Sequence, residues 1–347
     1  MKLNRLEKLS NLSGVSGFEE KVAEFIIEEI KGKVDESYVD NVGNVIAYKK
    51  GFREKTLMLC AHMDEVGLIV SSLKKNGTAG FSALGGVDPR VLMGKKVYVG
   101  EKSIPGVIGF KAIHNQNSSE IFMPPKMENL TIDFGFEDEK GLKEKINIGD
   151  PVVFSTEFER VDNFLIGKAF DDRSGCEVLL SLIDYLQENP VDYTVAFAFV
   201  VQEETGLRGS GIAARQIKPD AALIFENTTA GDNPELSEGR WSTRLGKGPA
   251  LAFAHGGLVL DEYILDVILN TARENNIMYQ FKSRTRGGTD AARISRMDEG
   301  TPCGVLSTPS RYIHSPMSMI NIEDFENVIK LAKLLVKNGK LIKGKEN

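Results

Sequence analysis

Glu203 and Glu204 stand side by side in VQEETG, directly after the apolar run YTVAFAFV. Adjacent carboxylates repel, and burying either one unpaired is costly. Nearby dications remove that penalty. The same texture recurs along the chain, with polar groups closing apolar runs. TLMLCAHMD ends in His62 and Asp64, GKAFDDRSG carries Asp171 and Asp172 ahead of a helical pattern, Glu226 follows AALIF, and RYIHSP places His314 past another apolar run. There are 4 histidines, and two of them occupy these positions. Histidine with carboxylates suits Zn²⁺, Co²⁺ or Mn²⁺. Two histidines and three carboxylates are enough for two ions that share one bridging carboxylate. Successive residues leaving a strand point to different sides. One carboxylate of the 203–204 pair can then coordinate a metal while its neighbour faces the water to be activated. Two metals make hydroxide near neutral pH and stabilise a developing oxyanion. The second carboxylate can take the water's proton and pass it to a leaving amine.

Rival chemistries fit less well. Cys60 and His62 lie two apart on a strand, as a thiol hydrolase would need, but Cys60 sits inside an apolar run where a thiolate is disfavoured. A glycosidase needs two carboxylates on opposite sides of a sugar ring, which neighbours in sequence do not supply. A metal-stabilised binding protein would not require a second, non-ligating glutamate.

The elements that must position these groups are legible. EKVAEFIIEEIKGK has helical spacing after Ser16-Gly-Phe-Glu19, which fits a capping box. DESYVDNVGNVIAYKKG reads as two short strands around a turn, and TLMLCAHMD as a buried strand. From about residue 67 to 164 short alternating segments are broken by Gly and Pro, the texture of a small β-barrel. Beyond it strands and helices alternate: YTVAFAFVVQ, GSGIAARQI, AALIF, DEYILDVILNTAREN, IMYQF, DAARISRM, CGVLS and NIEDFENVIKLAKLLVKNG. That alternation predicts an α/β fold: a three-layer α/β/α unit with a mostly parallel central sheet. The expected organisation is one α/β domain from residues 1–66 and 165–347, with residues 67–164 inserted as a β-barrel. In open α/β sheets ligands bind beyond the carboxyl ends of the strands, so the polar strand ends would face one crevice.

The totals agree. With 347 residues, 41% hydrophobic and 27% charged, the chain can bury a sizeable core. Its net charge of −6 argues against nucleic acid or an anionic membrane as partner. No apolar run approaches the roughly 18 residues of a membrane span, and MKLNRLEKLSNLSG lacks a signal-peptide core. A cytoplasmic protein is expected. Three scattered cysteines, Cys60, Cys176 and Cys303, predict reduced, buried thiols.

Taken together, AHMDEVG, GKAFDDRSGC, VQEETGLRGS, GKGP, GGTDAARI and RYIHSP resemble the tetrahedral dinuclear-metal aminopeptidases, which include glutamyl and deblocking aminopeptidases and relatives labelled cellulase M or endoglucanase. The motifs spread over nearly the whole chain. The resemblance implies a metal-dependent aminopeptidase acting on peptides, with two divalent ions per chain, zinc or cobalt first and manganese next. It implies His62, Asp171, Glu204, Glu226 and His314 as metal ligands, with Asp171 bridging. Glu203 would be the general base, and Asp64 would orient His62. The insert would be a dimerisation domain, and dimers would assemble into a hollow dodecamer. An inactive two-metal scaffold and a glucanase are the alternatives.

Four points stay open at this level. Glu226 stands where many members of the family have Asp, which changes the reach of that ligand. Asp290, in GGTDAARI, is either a helix cap or a functional group. Arg240, Arg244, Lys247, Arg284 and Arg286 flank the site in sequence and could favour acidic substrates. His114, inside the insert, is either a loop residue or a visitor to a neighbouring subunit's site.

Overall fold

The structure is a computed structural model and describes residues 3–233, 237–285 and 287–342. Four apolar segments form its centre. Tyr193–Val200, Arg53–His62, Ala221–Thr229 and Cys303–Arg311 lie side by side, all parallel. Parallel strands are covered on both faces, so they read as continuous apolar runs. Antiparallel neighbours extend the sheet: Val45–Lys49 and Glu36–Val39 on one side, Ser318–Asn321, Phe164–Gly167 and Glu159–Val161 on the other.

Alternate residues feed two cores. Leu57, Leu59 and Ala61 pack with helices Leu3–Asn11, Glu20–Ile30, Phe170–Glu188, Glu262–Glu274 and Ile322–Asn338. Met58 and Cys60 face the opposite way, toward helices Ser210–Ile217 and Asp290–Ile294. This is the three-layer α/β/α arrangement expected from the alternation. A separate six-stranded barrel closes from Gly67–Leu73, Thr78–Leu84, Thr131–Asp133, Ile104–Gly109, Lys96–Val99 and Pro151–Phe154, around its own apolar core. The segment between its strands leaves Phe110, Ile113, Phe122 and Met123 exposed.

Some local expectations fail. IMYQF contributes only Gln280–Phe281 to the sheet. The capping box does not form: Glu20–Ile30 has Glu19 at its N-cap position with no side-chain cap. The Ser16 hydroxyl donates instead to Asp64, and Glu19 accepts from the backbone N–H groups of Gly17 and Gln202. A buried carboxylate in reach outcompetes a local cap.

Candidate metal centre

The parallel strands share one carboxyl-end edge, and the sequence-predicted residues gather there. His62 is the last residue of its strand, in register with Val200 of the neighbour. Glu203 and Glu204 follow Val200 after a turn, while Asp171 comes from the start of helix Phe170–Glu188, where Asp171 and Asp172 leave helical geometry. Glu226 lies inside strand Ala221–Thr229, not beyond its end, and His314 follows Arg311.

The donor atoms form three groups, each within 4.8 Å: His62, Asp171 and Glu226; Asp171, Glu204 and His314; and His62, Glu203 and Glu204. The His62 Nε2 atom is 3.3 Å from Asp171 Oδ1, while His314 Nε2 is 3.2 Å from Asp171 Oδ2 and 3.3 Å from Glu204 Oε1. Asp171 therefore turns one oxygen to each histidine. Asp64 sits behind them, fully buried. Its carboxylate accepts from the backbone N–H groups of Glu203 and Glu204 at 2.9 and 3.1 Å and from the Ser16 hydroxyl at 2.6 Å. On its other side His62 Nδ1 lies 3.1 Å from the Asp64 carbonyl and 3.3 Å from its carboxylate. One carboxylate thus fixes both the ring and the turn that carries the two glutamates.

The electrostatics fit a cation. Burial pushes the Glu203 and Glu226 carboxyls well above their ordinary value and Glu204 up to about 7. Burial alone would lower His62 and His314. The carboxylates beside them overcome it, holding His62 well above its usual range and His314 at about 9. Asp171, despite burial, is held below the carboxylate range by the two histidines. Buried oxygens of Glu204 and Glu226 make no hydrogen bond among the described residues. Unsatisfied buried oxygens are rare in native folds. Histidine and carboxylate donors of this kind could hold divalent metal.

The surroundings bear on several open points. The three thiols are buried and unpaired, with Cys60 pushed far up by burial, so Cys60 is no ready nucleophile. Thr289, not Asp290, caps helix Asp290–Ile294. Asp290 is buried, with the Ser210 hydroxyl facing its carboxylate, and burial lifts it to about 6. His114 is exposed on the barrel and belongs to none of the donor groups. Arg240, Lys247 and Arg284 are exposed, Arg244 stacks over Trp241, and Arg286 lies outside the described residues. A cation absent from that set, Lys282, is half-buried and feels Glu226 and Asp171. The cleft beside the cluster is lined by Glu65, Val66, Lys168 and Phe154 of the barrel. Lys168 donates to both Glu65 oxygens, and burial brings its ammonium down to about 8. Sequence reading missed Ser16, Glu65 and Lys168. Lys168 directly follows FLIG and Glu65 directly follows Asp64, yet their pairing joins segments 103 residues apart, and Ser16 reads locally as a cap.

A family model for M42 glutamyl aminopeptidases matches residues 43–331. The chain belongs to that family. The motifs had pointed to the same family. The M42 chain is 30% identical over 331 residues to the glutamyl aminopeptidase of Lactococcus lactis, covering 93% of this chain and 92% of that protein. Among solved structures it superposes on an endoglucanase-named protein of Thermotoga maritima at 44% identity and TM-score 0.81, covering 97% of this chain and 98% of the other. It also superposes on the TET1 peptidase of Pyrococcus horikoshii, described as able to assemble into a tetrahedron or a large octahedral shell, at 30% identity and TM-score 0.85, covering 96% and 98%. The M42 chain is a peptide hydrolase.

Proposed function

We propose that the protein is a metal-dependent aminopeptidase that removes N-terminal residues from peptides, using two divalent ions held at the strand-end cluster. The observation that carries this reading is the sharing of Asp171. It belongs both to the group with His62 and Glu226 and to the group with Glu204 and His314, through different oxygens. Those two groups use five residues and leave Glu203 over. Zinc or cobalt, and after them manganese, match the donors.

When bound, such ions supply Lewis acidity, lowering the pKa of a water and polarising the scissile carbonyl. The chain's own residues do the rest. Glu203 accepts the attacking water's proton at a carboxylate oxygen and returns it to the leaving amine nitrogen. Asp64 keeps the His62 ring in one orientation and pins the backbone of Glu203 so that its side chain stays in reach. The longer Glu226, on a strand interior, reaches the cluster from below the strand ends.

A panel of aminoacyl chromogenic substrates with Co²⁺ and with Zn²⁺ tests the reading. Release of an amino acid that stops on chelation and returns on metal addition is the expected result. Full activity in metal-free protein would sink it. No release from any substrate, with metal bound, would favour an inactive two-metal scaffold. Hydrolysis of β-glucan by the same sample would favour the glucanase that the Thermotoga maritima name suggests.

The reading extends to assembly. Residues 67–164 serve as a dimerisation domain on a catalytic unit made of residues 1–66 and 165–347, and dimers close into a dodecameric shell in the cytoplasm. The exposed Phe110, Ile113, Phe122 and Met123 on the barrel segment support a covered face, and the shell of the TET1 peptidase supports the form. No helix among the described residues is long and apolar enough to cross a membrane. Light scattering should give the mass of twelve chains; a monomer with full activity on short peptides would remove this part.

A further inference from the structure

The two histidines of the cluster are held in different ways. The Nδ1 atom of His62 has the Asp64 carbonyl and carboxylate beside it. That is the usual arrangement for a metal-ligating histidine, whose second nitrogen is held by a carboxylate, carbonyl or water. His314 presents Nε2 to Asp171 and Glu204, and its side chain is 40% exposed. What faces its Nδ1 is the barrel. A Cβ built on Gly86 would lie 3.3 Å from His314 Nδ1 and 3.9 Å from its Cε1. The adjacent Gly85 packs the same way on the partner ligand: its Cβ would lie 3.2 Å from Glu204 Cβ and 2.9 Å from Val66.

The two glycines have different reasons to be glycine. Gly85 has φ +84°, a left-handed conformation that side chains rarely adopt. Gly86 is not in that region, so no left-handed φ demands glycine there. The constraint at Gly86 is space against the His314 ring.

We infer that Gly86 is a positioning residue for the metal group made of Asp171, Glu204 and His314, acting as the wall that sets the ring orientation of His314. The inference rests on the two-ion reading given above. The turn between strand Thr78–Leu84 and Pro89–Val91 carries the wall, so the barrel completes one metal site and leaves the other, at His62 and Glu226, to the α/β unit alone. At 3.3 Å an added methyl is already inside the usual 3.5–4.0 Å contact distance. The γ-methyls of valine would approach the ring further and turn it away from Asp171 and Glu204.

The test is metal binding of Gly86→Ala and Gly86→Val at buffered free Zn²⁺ or Co²⁺, followed by elemental analysis, with circular dichroism and metal-free melting to confirm the fold. Wild type should bind two ions. Gly86→Val should keep one at wild-type affinity and bind the other about 10–100-fold more weakly, the usual cost of losing a group that orients a ligand. Gly86→Ala should fall between and serves alone if Gly86→Val does not fold. Two ions at wild-type affinity in the variants would overturn the inference, and so would equal weakening of both ions. A wild-type protein that binds fewer than two ions would overturn the two-ion reading beneath it, a result recognisable before any variant is compared.

Discussion

Glu203→Gln should leave both metal sites filled and lower kcat by about 10²–10⁴-fold, the usual contribution of a general base. The substitution keeps shape and removes the proton-accepting charge. The backbone N–H of Glu203 still donates to Asp64, so the turn stays in place. Glu204→Gln should behave differently. Glu204 shares its donor group with Asp171 and His314, and its buried Oε1 has no hydrogen-bond partner among the described residues. Its variant should lose metal first and activity as a consequence, with activity partly restored by excess metal. Elemental analysis beside kcat on a short peptide separates the two. The contrast is a real test because Glu203 also lies within 4.8 Å of donor atoms on His62 and Glu204. Equal loss of metal in both variants would make Glu203 a ligand and end the division of labour.

Arg5→Ala should lower the unfolding free energy by about 3–5 kcal/mol, the usual cost of removing one partner of a buried ion pair. Arg5 projects from the first helix, Leu3–Asn11, and is almost fully buried. Its Nε and Nη2 atoms donate to the two oxygens of Glu177 at 2.5 and 2.8 Å, and Nη1 donates to Asp184 at 2.9 Å. Glu177 has no exposure, so without Arg5 its charge is stranded inside helix Phe170–Glu188, the helix whose start carries Asp171. The double variant Arg5→Met with Glu177→Met should recover much of the loss, because no unpaired charge remains. Urea denaturation of both variants checks this. A change in Arg5→Ala of less than about 1 kcal/mol would mean that the pair behaves like an exposed one.

The sequence was most legible where burial leaves a one-dimensional trace. A strand covered on both faces is apolar for most of its length, so polar groups that close the run stand out, and His62, Glu203, Glu204 and His314 were singled out that way. Glu226 was found too, although its strand continues to Thr229 because the parallel partner Cys303–Arg311 runs on beside it. The change of texture near residue 67 marked a second core with its own strand length. What stayed hidden depends on contacts between distant segments. Ser16 and Glu19 carry a perfectly good capping pattern, yet Asp64 and Gln202 claim them. Arg5 and Glu177 are 172 residues apart and look like ordinary surface charges on amphipathic helices. The role of Gly86 depends on how the barrel lies against the sheet, which no local pattern records.

The chain order of the site has a bearing on how the enzyme comes into being. The residues proposed as donors stand at positions 62, 171, 204, 226 and 314, and the fourth parallel strand, Cys303–Arg311, is the last of the four to be made. A nascent chain emerging from the ribosome therefore carries His62 and Asp171 long before His314 exists. Contacts of such large sequence separation form late and slowly. A half-made molecule, however much of its barrel has already closed, has an incomplete catalytic cluster. Under the proposed two-ion reading, hydrolytic power therefore waits until Cys303–Arg311 and His314 have been made and have docked beside the earlier strands.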